Sequence, residues 1–216
     1  MKTYARQVLL PLLALLTAVP LTAVPDEFIQ LKSVDVKAQG KWLQATVSFT
    51  ARRHPNPEGA LNVQYIDDLK LSLQLCYQNK AREAKFRRDR KQFAAPDTYD
   101  YYGAEVEIPT VKVGSTLYRV NFLLPAVLAD RDGYLSAAHR PMGYVVNISS
   151  GGVPFELKDP VKFDRYTQAT VLESFKKFCA EGVTKTKGLM VPAHWVSPSY
   201  LEGAPTLRIR ESAPGL

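Results

Sequence analysis

The sequence predicts an all-β fold, an immunoglobulin-like antiparallel β-sandwich with one α-helix in the C-terminal half. Three observations carry that expectation. From Leu69 to Tyr77 the chain alternates strictly, with Leu69, Leu71, Leu73, Leu75 and Tyr77 on one face and Lys70, Ser72, Gln74 and Cys76 on the other. That is the pattern of a half-buried antiparallel strand, since a parallel one would be apolar on both faces. Further short alternating runs recur between turns containing glycine or proline. Only one stretch, late in the chain, repeats with a helical period. The antibody pattern of two cysteines and a tryptophan is missing, so the expectation concerns architecture alone.

Residues 1–23 read as a secretory signal peptide, and 24–216 as a single domain with an extended C-terminal tail. Lys2 and Arg6 precede an apolar run broken by Pro11 and Pro20, which suits a cleaved leader and not a retained membrane helix. Ala23 is the expected last residue of the leader, with Ala18 as the alternative. No later stretch is long and apolar enough to span a bilayer as a helix. The mature protein is therefore expected in the periplasm, at the cell surface or on the outer membrane.

Glu27 to Lys37 alternates, then shifts phase at Val34 and Val36, and reads as the first strand. Lys41 to Ala51 follows, with Ala45, Val47 and Phe49 on one face. Arg52 to Gly59 is a turn segment holding two prolines. After the Leu69–Tyr77 run comes a basic stretch, Lys80 to Lys91, whose spacing leaves helix and edge strand both open. Pro96 to Gly103 reads as a loop rich in Tyr and Asp.

Ala104 to Leu124 reads as a hairpin turning at Gly114-Ser115, where glycine suits a type II′ turn. A bulge or edge kink at Pro109-Thr110 absorbs a slip in phase. Pro125 to Gly143 is a long crossing loop with a helical turn. A second hairpin runs from Tyr144 to Leu157 around Ser150-Gly151-Gly152. The helix starts from a capping box, Thr170 and Glu173, carries Val171, Leu172, Phe175, Phe178 and Cys179 on one face, pairs Glu173 with Lys177, and ends at Gly182 as C′ residue. Short strands at Leu189 to Val191 and Thr206 to Ile209 complete the chain.

The formal charge of +7 over 216 residues stays positive once Lys2 and Arg6 leave with the leader. A modest basic excess favours anionic partners in general. Cys76 and Cys179 form an even pair in an exported chain, which invites a disulfide. Such a bridge would close a loop of about a hundred residues and add about 4–5 kcal/mol in a chain-entropy account. Two separate buried thiols are the other reading.

His54, His139 and His194 lie in loops or beside proline, without the paired spacing that zinc requires, so no metal or other cofactor is expected. Asp130-Arg131-Asp132-Gly133 opens like a calcium loop but lacks the later ligands. No nucleophile-and-base motif or phosphate-binding loop occurs, and the carboxylate pairs Asp67-Asp68 and Asp97/Asp100 place no two carboxyls across a substrate. The Asn147-Ile148-Ser149 sequon falls inside an expected strand. The chain is not expected to be an enzyme.

The candidate binding surface is Lys85, Arg87, Arg88 and Arg90 beside Tyr99, Tyr101 and Tyr102, where rings could stack on sugars and cations could pair with anions. A solvated edge that discourages aggregation explains the same charges.

The segments LLPAVLADRDG (Leu123 to Gly133), MGYVVNISSGG (Met142 to Gly152), LESFKKF (Leu172 to Phe178) and GLMVPAHWVSPSY (Gly188 to Tyr200) carry a resemblance. Together the chain resembles small secreted immunoglobulin-like β-sandwich proteins associated with type IV pilus-like gene clusters of mucus-associated bacteria. The resemblance implies a non-catalytic surface protein, a fimbrium-associated assembly or cell-adhesion module acting on other surface or pilus-associated proteins. The proline-broken leader suits an accessory protein better than a polymerising pilin. Read from the residues alone, the alternative is a periplasmic or secreted glycan- or anion-binding module using the basic run 80–91 and tyrosines 99–102. Host glycans or other anionic surfaces are then the partners, and nucleic acid is not expected.

Overall fold

Apolar alternation builds two antiparallel sheets that share one core, the sandwich expected from the sequence. The computed structural model describes residues 27–39, 42–88, 98–131, 134, 140–164 and 166–196. The expected leader over 1–23, the tail beyond 196 with its strand at Thr206 to Ile209, and His139 lie outside the described residues.

The strands and helices follow in the order β1 (Ile29–Gln39), β2 (Trp42–Ala51), β3 (Tyr65–Gln78), α1 (Lys80–Arg88), β4 (Tyr99–Lys112), β5 (Tyr118–Pro125), α2 (Ala126–Arg131), β6 (Gly143–Ser150), β7 (Val153–Pro154), β8 (Val161–Phe163), α3 (Ala169–Thr184) and β9 (Val191–Pro192). One sheet runs β1-β2-β5-β9. The other runs β4-β3-β6-β7, with β8 also on β6. Inward residues of both sheets, among them Val47, Phe49, Leu71, Leu73, Val120, Phe122, Val146 and Ile148, form a single cluster.

The alternation read along β3 holds at every position, because Leu69, Leu71, Leu73, Leu75 and Tyr77 are all buried between the sheets. The phase shift in β1 is a bulge between Leu31 and Ser33 in its pairing with β2. At Pro109 the β3–β4 register runs on unshifted, so the irregularity is not a bulge of one strand. It falls on both strands: Asp68, in the left-handed region at φ 51°, stands beside Leu69, whose partner is Ile108. Proline is tolerated because β4 pairs on one side only among the described residues.

The central hairpin is a correction. β4 pairs with β3, and β5 pairs with β2, so Ala104 to Leu124 crosses from one sheet to the other. Gly114, at φ 142°, donates its N–H to Ala51 O at 2.7 Å, and Val113 donates to Gln64 O at 2.7 Å. The crossing is thereby tied to the ends of both sheets, where a two-residue hairpin turn would have kept both strands in one.

Among the described residues two α segments join the late helix, α3. Lys80–Arg88 is helical, and a short helix, α2, occupies the crossing loop. α3 also differs at its ends. Gln168 is its N-cap without a side-chain hydrogen bond, so Thr170 lies inside the helix and no capping box forms. Gly182 lies inside the helix as well, with Lys185 as C-cap. Glu173 pairs with Lys176 at 2.7 Å instead of Lys177.

α3 covers the outer face of the β4-β3-β6 sheet as a third layer. Phe175 and Cys179 from the helix, with Cys76, Tyr101 and Val145 from the sheet, make a second buried cluster. Burying a side chain such as Phe175 contributes about 1.5–3 kcal/mol. This layer explains why Cys76 points away from the main core and is nonetheless fully buried.

Candidate functional site

The basic run is a helix because its start is well capped. Asn79 Oδ1 accepts the Arg82 N–H at 3.0 Å, and Asn79 O accepts the Glu83 N–H at 2.9 Å. An Arg87–Glu83 ion pair braces one face. Asp100, at the start of β4, anchors the helix to the sheet. Its carboxylate accepts Asn79 Nδ2 at 2.8 Å, the Tyr134 hydroxyl, and the Arg82 guanidinium. Lys80, Lys85, Arg87 and Arg88 are exposed, leaving a cationic ridge beside one end of the sandwich. Arg90 lies outside the described residues. Asn79 and Asp100 are contributors that the sequence reading missed. An Asn directly before a charged, apolar-poor run was the available signal.

The tyrosines do not form the exposed stacking platform expected of them. β4 already begins at Tyr99, so the segment is strand and not loop, and its side chains alternate between two buried layers. Tyr102 is 1% exposed and points inward, its ring 6.2 Å from Tyr77 and 6.4 Å from Tyr134. Tyr101 is 5% exposed and lies under α3, where a Cβ on Gly182 would stand 2.2 Å from its ring. Thr186, just past α3, donates its hydroxyl to the Tyr101 carbonyl. Tyr99 is half-buried and packs 5.9 Å from Phe163. Burial, then the neighbouring Cys76, raises its phenol above 10.0.

Tyr99 and Tyr101 floor a shallow apolar groove of about 300 Å³ between β8 and α3, with Val171, Phe175 and Phe178 along its wall. Phe163, which also lines the groove, stacks on both Phe175 (4.4 Å) and Tyr166 (5.4 Å).

The disulfide expected between Cys76 and Cys179 is not formed. Both are free thiols, fully buried in the same cluster beneath α3. Packed among Tyr101, Val145 and Phe175, they act as small apolar side chains. Burial pushes the Cys179 thiol up to about 12, and raises Cys76 further with help from Cys179 itself.

Among the described residues two strands offer long edges, and they differ. β4 carries Pro109, which lacks a donor, and α3 and β9 pack against it. β1 pairs only with β2 among the described residues. Its core-facing Leu31, Val34 and Val36 stay half-buried, while Lys32, Asp35 and Lys37 are exposed. Backbone donors and acceptors along this edge can take another strand.

His54 is a loop residue as expected, its Nδ1 accepting the Asn56 N–H at 3.0 Å. Among the described residues no group of three or more His, Cys, Asp or Glu side chains could hold a metal ion. No described helix is long and apolar enough to cross a membrane. Comparisons with known protein families, with characterised proteins and with solved structures give no match to this chain.

Proposed function

We propose that this is a non-catalytic exported surface protein, a pilus-associated assembly or adhesion module that works by protein-to-protein contact. The observation that supports it best is the open edge of β1, whose half-buried Leu31, Val34 and Val36 would be covered by an added strand. The order of pairing supports an immunoglobulin-like reading of the sandwich. Lettering β1 to β6 as A, B, C, C′, E and F gives A-B-E in one sheet and C′-C-F in the other, with β9 where strand D lies in constant-type domains. The test is fractionation of cells that export the protein. Recovery with outer-membrane or fibre fractions, together with specific companions, is expected; recovery as a free soluble species without companions overturns the reading.

A second reading, an anion- or glycan-binding module, draws on the exposed cations of α1 and no longer on Tyr101 and Tyr102. The joint charge reversal K85E/R88E should then weaken binding to a sulfated glycan in a salt-dependent way. Unchanged affinity dismisses the ridge.

A further inference from the structure

The bulge in β1 leaves one regular stretch of edge, Ser33 to Gln39, that is open among the described residues, and its sequence is complementary to itself. Its register on β2 is continuous from Ser33↔Ser48 to Gln39↔Trp42. Val34, Val36 and Ala38 pair with Val47, Ala45 and Leu43, all core residues of β2, so they share the inward face. Ser33, Asp35, Lys37 and Gln39 share the outward face. Asp35 is held by the Ser33 hydroxyl at 2.7 Å, and neither Asp35 nor Lys37 has an ion pair among the described residues.

We infer that β1 pairs with β1 of a second copy of this chain, antiparallel about a two-fold axis at Val36. That register sets Asp35 opposite Lys37 of the second copy and Lys37 opposite its Asp35, so each charge meets its complement and the interface holds two such pairs. On the inward face Val36 meets Val36, and Val34 meets Ala38, which covers the half-buried apolar edge. Ser33 and Gln39 face each other outside. A two-fold interface requires such self-complementarity, because the same patch serves both copies. A slip of one residue would point the charges of one copy at the apolar face of the other. The product is one sheet running continuously through both copies. Pairing at this edge rests on the contact reading above and specifies its partner.

Sedimentation equilibrium of the purified mature protein at low salt tests it. Self-association is expected, weakening as salt rises. The single reversals D35K and K37D should each loosen the dimer about tenfold or more, since each turns two opposite-charge pairs into like-charge ones. The double variant D35K/K37D restores complementarity and should recover the dimer. All of these positions are exposed, and circular dichroism of each variant checks that the fold is kept. A protein that stays monomeric, or single and double variants that bind alike, overturns the pairing. A monomer that still fractionates with surface fibres overturns the pairing alone and leaves the contact reading standing.

Discussion

The Tyr118 hydroxyl accepts the Lys112 N–H at 2.7 Å and stands 3.2 Å from the Lys112 carbonyl, joining the first residue of β5 to the last of β4 across two different sheets. The ring beneath it is buried and stacks on Phe49 at 5.5 Å. One side chain therefore fills the core and fixes the crossing. Tyr118→Phe keeps the ring and removes the clamp, so stability should fall by about 1–2 kcal/mol through the unpaired Lys112 N–H. Urea unfolding is the measurement, with the midpoint expected to drop at constant slope. An unmoved midpoint would mean that Gly114 and Val113 hold the crossing unaided.

α3 approaches β4 so closely that Gly182 has no room for a side chain, its added Cβ falling 2.2 Å from Tyr101 Cδ2 and 2.5 Å from Cγ. Helix propensity alone would make Gly182→Ala stabilising by about 1 kcal/mol. Overpacking against a buried ring typically costs about 1–3 kcal/mol, and Tyr101 is itself pinned between helix and sheet. The net expectation is a lower Tm for Gly182→Ala. A rise would show that α3 sits further from the sheet.

Much of the sandwich was legible because a half-buried antiparallel strand writes its two faces into the sequence with period two. Leu69 to Tyr77 and the phase slip at Val34 are such cases. The crossing at Gly114 was not legible, since a hairpin and a sheet-to-sheet crossing share the same flanking alternation and the same glycine. Strand partners are set by distant packing. Tyr99 to Tyr102 misled for another reason: where a helix covers the outer face, both faces of a strand are buried and the alternation that marks exposure vanishes. α1 is held by Asn79, Asp100 and an ion pair rather than by an apolar stripe, so its periodicity was silent.

The two thiols should make stability fall at high pH. In the folded protein burial holds Cys179 protonated up to about 12, and Cys76 is raised as well, whereas an unfolded thiol ionises near 9.0. The contribution is complete below that unfolded value. Between it and about 12 the unfolded chain has released protons that the folded chain still binds, so stability drops as pH rises. Thermal unfolding in reducing buffer should show Tm declining across this window, and more gently in C76A/C179A. Without reductant, the denatured protein should titrate two thiols, while the native one reacts slowly. No free thiols would reinstate the bridge first expected.

Tyr77 carries one of the unpaired polar atoms buried among the described residues. It is fully buried, its ring stacks 4.6 Å from Tyr134, and its hydroxyl has no hydrogen-bond partner among the described residues. Burial, and then the Tyr102 phenol, raises its own ionisation well above 10.0. The ring supplies the packing, while the oxygen has lost its hydration without replacement, a loss of about 1–3 kcal/mol. Tyr77→Phe keeps the stack and removes the unpaired group. It should therefore match or exceed the parent in stability, unlike Tyr118→Phe, although both remove one hydroxyl from the same core. Parallel urea titrations compare the two. A Tyr77→Phe variant that loses as much as Tyr118→Phe would show that the Tyr77 hydroxyl is satisfied in solution.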